Sequence, residues 1–286
     1  MERPSFQSLQ AHYASRLKQF QTSNRNFEVL ASVSPGHDDD PVSSPDVLYV
    51  LDSSFNPPTL AHRRIVSSAL LGDPSRSPRL LLLLATQNAD KPSKPASFED
   101  RLAMMDLFAR DLLSHLQSTS SETSQPSLPV IDVAVTKKPY FMDKAAEIEG
   151  AGIYPKSLEQ VHLTGYDTLI RIFDPKYYPP EHTLQPLEPF LSRHRLRVTL
   201  RPDSNWGSRD EQEAFLRDLA DGKKDEIGAK REWAPRIQLV EGRKPGAPSV
   251  SSTRAREAAT TNPQDLDWLV PSSIQEMIMS ERLYSN

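Results

Sequence analysis

Aliphatic runs of four to six residues recur along this chain, each followed by a stretch with helical periodicity, and that alternation restricts the fold more than any other feature. The runs are Val47–Leu51, Leu80–Ala85, Val130–Val135, Gln160–Thr164, Leu196–Leu200 and Ile237–Val240. All have the length of buried strands. Helices are predicted at Pro58–Leu71, from Ser97 onward, and at Asp143–Glu149, Tyr166–Phe173, Ser208–Ala220 and Ser272–Glu281. Pro58 suits a first helical turn, where its missing N–H would be unpaired anyway. Ser97 is a cap, Glu99 and Asp100 follow in the positive first turn, and Leu102, Met105, Leu107 and Leu112 supply a buried face. The alternation predicts an α/β fold, a doubly wound and mostly parallel sheet whose ligands sit beyond the carboxyl ends of its strands. Its longest aliphatic run, Leu80–Ala85, is far short of the roughly 20 residues that span a bilayer, so no membrane partner is expected.

Composition removes further classes. With 34 Lys and Arg against 38 Asp and Glu, the net charge of −4 argues against a nucleic-acid partner held by counterion release. The absence of cysteine excludes disulfide frameworks, thiol catalysis and thiolate metal sites. Glu2, Gln7, Gln10, His12, Arg16 and Lys18 interrupt any apolar core of a signal peptide. A soluble intracellular protein is expected, cytoplasmic, with the nucleus as the alternative. Of the 10 glycines only Gly150 and Gly152 form a G-x-G, so neither a dinucleotide fingerprint nor a P-loop can be built. Nucleotide phosphates, if bound, must be cradled in another way.

Ser32–Pro45, Gln117–Pro129 and Asp174–Pro189 concentrate Pro, Ser, Thr and charge, and read as loops or disordered insertions. The domain reading is an N-terminal helix and loop at 1–45 and one domain at 46–286, with loop insertions near 114–129 and 174–190. Phe6, Leu9, Tyr13, Leu17 and Phe20 fall on one side of the N-terminal helix. Packing on the domain is the favoured use of that face, a protein partner the other.

The most informative stretch is Leu51-Asp52-Ser53-Ser54-Phe55-Asn56-Pro57-Pro58-Thr59-Leu60-Ala61-His62. A buried strand ends, a small polar turn follows, and a helix begins with Thr59 and His62 three apart on one face. Turn amides and the helix dipole favour an anion there. A second polar turn, Val250-Ser251-Ser252-Thr253-Arg254-Ala255-Arg256, opens another helix near the far end. Its hydroxyls and the planar fork of Arg256 suit phosphate oxygens.

Ser53-Ser54-Phe55-Asn56-Pro57-Pro58-Thr59-x-x-His62 resembles the G-[ST]-F-[ND]-P-x-[HT]-x-x-H signature of the α/β nucleotidyltransferases, in the form carried by nicotinamide and nicotinate mononucleotide adenylyltransferases. The second turn is similar to that family's I-S-S-T-x-x-R. Weaker likenesses lie between and after them: the loop and helix with Lys91, Lys94 and Arg101; Gly165-Tyr166-Asp167-Thr168-Leu169 against G-x-D-x-L; Tyr178 where a stacking aromatic is common; and the closing Leu269-Val270-Pro271 through Leu283-Tyr284. The likeness covers roughly residues 46–286. One departure is Ser53, which stands where the family carries its first glycine and suggests a fungal-type branch.

The resemblance implies a Rossmann-like nucleotidyltransferase fold with an added N-terminal helix, and a reaction joining ATP to nicotinamide or nicotinate mononucleotide. It assigns His62, Thr59 and Arg256 to catalysis. Ser53, Ser54, Phe55, Asn56, Gly165, Asp167, Ser251, Ser252 and Thr253 would hold ATP, and Lys91, Lys94, Arg101 and Tyr178 the mononucleotide. Mg²⁺ is expected on the triphosphate, with no protein metal ligands. Two alternatives stand beside this reading: another nucleotidyltransferase of the same fold, and a nucleotide-binding adaptor with little turnover. Arg193, Arg195 and Arg197 alternate as a candidate anion stripe, for which a solvated face is the favoured explanation.

Overall fold

The strand-forming runs assemble into one seven-stranded sheet in the computed structural model, which describes residues 5–36, 44–72, 77–87, 95–119, 128–202, 206–242 and 247–285. The strands are β1 (Phe27–Val33), β2 (Val47–Asp52), β3 (Pro78–Ala85), β4 (Val130–Thr136), β5 (Glu159–Gly165), β6 (Arg195–Thr199) and β7 (Ile237–Val240). The helices are α1 (Phe6–Thr22), α2 (Leu60–Leu70), α3 (Phe98–Thr119), α4 (Phe141–Gly150), α5 (Tyr166–Ile172), α6 (Glu188–Leu191), α7 (Arg209–Ala220), α8 (Ser252–Thr261), α9 (Leu266–Leu269) and α10 (Ser272–Ser280).

Sheet order is β1-β4-β3-β2-β5-β6-β7, parallel throughout except for β1, which runs antiparallel to β4. From β2 the chain winds outward through β3 and β4, then returns to β5 on the other side of β2. That reversal is the switch point at which doubly wound folds bind ligands. Register shows the opening directly: β2 pairs with β5 only as far as Val50 with His162, although the strands continue to Asp52 and Gly165. Their carboxyl ends therefore part, and the ends point into a common crevice.

The central strands are buried on both faces, as their unbroken apolar runs require. Leu80 through Leu84 are each at most 1% exposed. One face packs against α1, α2, α3, α8, α9 and α10, while Phe215, Trp233 and Phe190 gather under the β6 side of the other. Asp132, fully buried on β4, accepts hydrogen bonds from Arg79 (2.7 and 2.9 Å), Tyr154 (2.7 Å) and Ser32 (2.6 Å). A carboxylate so placed needs that many donors to offset its lost hydration, and the Ser32 bond fixes β1 to its neighbour.

The N-terminal helix turns Leu9, Tyr13, Leu17 and Phe20 inward, and Tyr13 donates to Asp106 of α3 at 2.9 Å. Its apolar face is thus covered within the chain. Phe27–Val33, which the sequence reading leaves within the helix-and-loop segment 1–45, is instead an edge strand of the same sheet. A bulge between Val29 and Ala31 spaces the buried residues Phe27, Leu30 and Val33 by three rather than two, which removes the alternation that marks a strand. The segment near 114–129 begins as helix, since α3 runs to Thr119. The segment 174–190 is ordered by Leu184, Leu187 and Phe190, all buried. The arginine stripe is spent on structure: Arg193 pairs with Glu149, Arg195 grips Glu159 with two 2.8 Å bonds, and Arg197 donates to Ser68 O at the end of α2.

Because Phe20 is fully buried between α1 and the sheet, Phe20→Ala is expected to destabilise the whole fold by about 3–5 kcal/mol. Denaturant unfolding checks this; a loss below about 1 kcal/mol would show that α1 lies outside the common core.

Candidate active site

The site is built outward from the carboxyl end of β2. Ser53 N–H still donates to Leu83 O of β3 at 3.2 Å, carrying the ladder one residue past the strand. Phe55 then takes a left-handed backbone, φ 44°, which costs about 1–2 kcal/mol for a residue with a side chain. Complete burial of its ring, worth about 1.5–3 kcal/mol, offsets that strain. The chain is thereby turned sharply, and Asn56 through Thr59 pack beneath the start of α2.

Thr59 is the cap of α2 and His62 its third helical residue, so the imidazole can fold back over the cap. Thr59 N–H donates to His62 Nδ1 at 3.0 Å, and Thr59 Oγ1 lies 2.9 Å from the same nitrogen. A backbone N–H can only donate, so Nδ1 is bare and the ring proton resides on Nε2. Nε2 lies 3.0 Å from Ser53 Oγ. Burial, with a smaller push from Arg201, lowers the His62 pKa from 6.5 to about 4. The ring is therefore neutral at physiological pH.

Helix α8 brings the distant motif onto this turn. Ser251 caps it by accepting from Arg254 N–H. Ser252 Oγ donates to Pro57 O at 2.8 Å, Arg256 Nη1 donates to Asn56 O at 2.7 Å, and Arg256 Nη2 donates to Thr253 Oγ1 at 3.2 Å. From the C-terminal segment Tyr284 donates its hydroxyl to Asn56 Oδ1 at 2.9 Å. Segments some 200 residues apart are thus tied by direct bonds to Asn56 and Pro57.

Across the crevice, β5 ends in Thr164 and Gly165. A Cβ on Gly165 would lie 2.6 Å from Asp167 Oδ1 and 2.9 Å from Arg201 Nε, so any larger residue would push those two side chains aside. Their ion pair spans 3.2 Å, yet Asp167 Oδ1 lacks a hydrogen bond of good geometry, as does Thr164 Oγ1. Both residues line the crevice. A buried polar atom without a hydrogen bond costs about 1–3 kcal/mol, so the wall of the crevice carries unspent hydrogen-bonding capacity at Thr164 and Asp167.

Three neighbouring cavities that share wall residues run across the strand ends. The central one, about 190 Å³, is bounded by Asp52, Ser53, His62, Thr164, Gly165, Asp167 and Arg201. Ile65 and Arg201 are shared with a larger cavity of about 330 Å³ that reaches Arg64, Gly242 and Ser251. Asp52, Phe141 and Thr168 are shared with a third, about 180 Å³, which reaches Lys144, Arg171, Tyr177 and Tyr178. Their row along the strand ends suits an elongated ligand. Lys144 Nζ lies 2.5 Å from Asp52 Oδ2, so the acid at the end of β2 is charge-compensated.

The structure gathers Ser53, His62, Gly165 and Asp167 in the central cavity, Ser251 in the larger one and Tyr178 in the third. Ser54 and Thr253 are exposed at the two turns. Phe55 faces the core, and Thr59 is fully buried with its hydroxyl on His62 rather than on the cleft. Tyr178 donates its hydroxyl to Ile172 O at 2.6 Å; its neighbour Tyr177 is the more exposed ring of the pair. Arg101 is buried near Tyr284 and Arg256, bonded through Nε to Ala96 O. Lys91 and Lys94 lie outside the described residues. Sequence reasoning missed Arg201, Thr164 and the Asp52–Lys144 pair. The signal for Arg201 was its place directly after a strand, where the fold collects its ligands.

No protein-family model matches the chain. A Schizosaccharomyces pombe (strain 972) protein, provisionally named nicotinamide mononucleotide adenylyltransferase, is 32% identical over 267 residues, covering 93% of this chain and 94% of the relative. The chain belongs to the nicotinamide mononucleotide adenylyltransferase family. The nicotinic acid mononucleotide adenylyltransferase of Plasmodium falciparum, solved in complex with NaAD, aligns over 84% of this chain and 97% of its own with a TM-score of 0.51 and 14% identity. That likeness is one of fold. As a member of the adenylyltransferase family, the chain places both of its motif turns at the switch-point crevice.

Two outcomes are expected. The folded-state pKa of His62 lies below its ordinary value, so its contribution to stability holds above about pH 6.5 and is lost as pH falls toward 4. Accordingly, nucleotide binding measured from pH 5.5 to 8 should show no acid limb centred near 6.5; such a limb, abolished by His62→Asn, would contradict a neutral ring. Gly165→Ala should displace Asp167 and Arg201, weakening nucleotide binding about tenfold or more while calorimetry shows an unfolding temperature within about 4 °C of wild type.

Proposed function

We propose that this chain transfers the adenylyl group of ATP to nicotinamide or nicotinate mononucleotide, giving NAD or its acid precursor and pyrophosphate. A phosphate oxygen of the mononucleotide forms the new bond to the α-phosphorus, and the α–β phosphoanhydride bond breaks with its electrons leaving on pyrophosphate. No protein nucleophile takes part. The observation that carries the reading is the clamp of the Ser252–Arg256 turn onto Asn56 and Pro57 at the crevice, in a chain of this family.

In this reading the triphosphate lies between the two turns. Ser251, Ser252, Thr253 and Arg256 address its outer phosphates. Ser53, Ser54, Asn56 and the backbone of Phe55 orient the transferring group, close to His62. Thr59 acts by holding His62. Asp167 and Gly165 serve the ATP ribose; the Asp167 carboxylate, ion-paired with Arg201 at 3.2 Å, lines the central cavity. The cavity by Tyr177 and Tyr178 takes the pyridine, and Lys91, Lys94 and Arg101 assist the mononucleotide phosphate. Positioning and charge neutralisation supply the rate, as in other phosphoryl-type transfers.

Mg²⁺ is assigned to the triphosphate itself, where it neutralises phosphate charge. The two acids at the crevice are each matched with a cation, Asp52 with Lys144 and Asp167 with Arg201. They fit a metal carried in by ATP better than a dedicated protein cage.

Chromatography of the purified chain with ATP, Mg²⁺ and either mononucleotide should reveal the dinucleotide and pyrophosphate. ATP binding with no dinucleotide from either partner would defeat the proposal and leave the adaptor reading; turnover with a different acceptor or nucleotide would point to another nucleotidyltransferase. Arg256→Ala is expected to lower kcat/KM about a hundredfold. Lysine at that position should recover little, because a single ammonium nitrogen lacks the planar two-nitrogen fork that meets Asn56 O and Thr253 Oγ1.

A further inference from the structure

Two charged side chains meet in the wall of the third cavity, where it adjoins the central one. Asp52 ends β2 and lines both cavities, while Lys144, one turn into α4, lines the third. Lys144 is only 8% exposed, and its Nζ donates to Asp52 Oδ2 at 2.5 Å. An ammonium has three donors, and a carboxylate accepts through both oxygens. Among the described residues no other protein group bonds to either charged group, so two N–H donors and Asp52 Oδ1 remain for a ligand. Desolvation offsets most of the attraction within such a pair, so stability alone does not account for it. The rest of the wall is poorer in polar groups. Phe141 and Tyr177 contribute rings, and the Tyr178 hydroxyl is already engaged by Ile172 O. Arg171 also lines the cavity but is exposed, where water and salt screen its charge.

We infer that the Asp52–Lys144 pair reads the substituent of the pyridine ring and selects the carboxamide over the carboxylate. This rests on the adenylyl-transfer reading and deepens it, naming nicotinamide mononucleotide as the preferred acceptor. The two mononucleotides share ring, ribose and phosphate and differ only in that group. A carboxamide carries a donor and an acceptor side by side. Its NH₂ can donate to Asp52 Oδ1 while its carbonyl oxygen accepts from Lys144 Nζ. A carboxylate has acceptors alone. It satisfies Lys144 but sets a second negative charge against Asp52, and like charges so placed disfavour each other. Discrimination then comes from repulsion of the wrong substrate as much as from attraction of the right one. A neutral pair suits this task. A lone lysine in the same wall would favour the acid, and a lone aspartate would offer the amide carbonyl no donor. No substrate bond is made or broken at the pair, so both residues determine specificity and leave the chemistry to the two motif turns.

Initial rates of the full chain with ATP, Mg²⁺ and each mononucleotide test this through one ratio, kcat/KM for the amide over kcat/KM for the acid. Wild type should favour the amide about tenfold or more, the scale of one unmatched polar contact. Asp52→Asn removes the repelling charge and leaves Lys144 an unpaired cation, so the ratio should fall about tenfold or more toward the acid. Lys144→Met keeps the apolar stem and leaves Asp52 unpaired, so the ratio should rise above that of wild type. A pair that merely braces the fold would lower both activities together and leave the ratio in place. A wild type that favours the acid or treats the two alike would overturn the proposal. So would a ratio unmoved by Asp52→Asn, or moved in the same direction by both substitutions. The wild-type ratio depends on no variant, and thermal unfolding shows whether each variant is folded. If neither mononucleotide is turned over, the adenylyl-transfer reading fails. Calorimetric Kd values of the two mononucleotides for wild type then decide the pair, and equal values, or binding of neither, would overturn it.

Discussion

The parting of β2 from β5 after Val50 and His162 is the constraint on which the rest of the structure depends. Two parallel strands that stop pairing expose backbone groups that must find other partners. On the β2 side Ser53 turns to β3, and the chain then folds into the strained turn at Phe55. On the β5 side the chain passes at once into α5 with Gly165 as its cap. The crevice is what remains between these two exits, and Ser53, His62, Gly165 and Asp167 hang from them.

An opening in a sheet has to be held at a defined width if it is to recognise a ligand. Here the brace comes from far along the chain. Arg256, Ser252 and Tyr284 bond to the carbonyls and side chain of Asn56 and Pro57, so the turn after β2 is fixed by three separate contacts. On the opposite wall Arg201 leans on Asp167 over Gly165. Rigid elements bearing short, polar contacts are the arrangement that preorganised catalysis requires.

What could be read from the sequence follows from how local each signal is. The parallel strands were legible because full burial leaves unbroken aliphatic runs such as Leu80–Leu84, and the motif turns because their residues are consecutive. β1 was not, since its bulge destroys the two-residue period. Thr59 and His62 were recognisable as a pair on one helix face, but only the direction of their side chains shows that one serves the other. Arg201 and the Lys144–Asp52 pair join residues from different elements, and no local pattern announces such meetings.

The neutrality of the His62 ring bears on how the enzyme lets go. An imidazolium beside the cleft would attract any polyphosphate, reactant and product alike, and pyrophosphate most of all. An uncharged donor offers a bond that is strong only in one direction and at one distance, and it loses its grip when the oxygen moves away. Burial of His62 and the positive charge of Arg201 nearby therefore keep one cation out of the cleft from which pyrophosphate must depart.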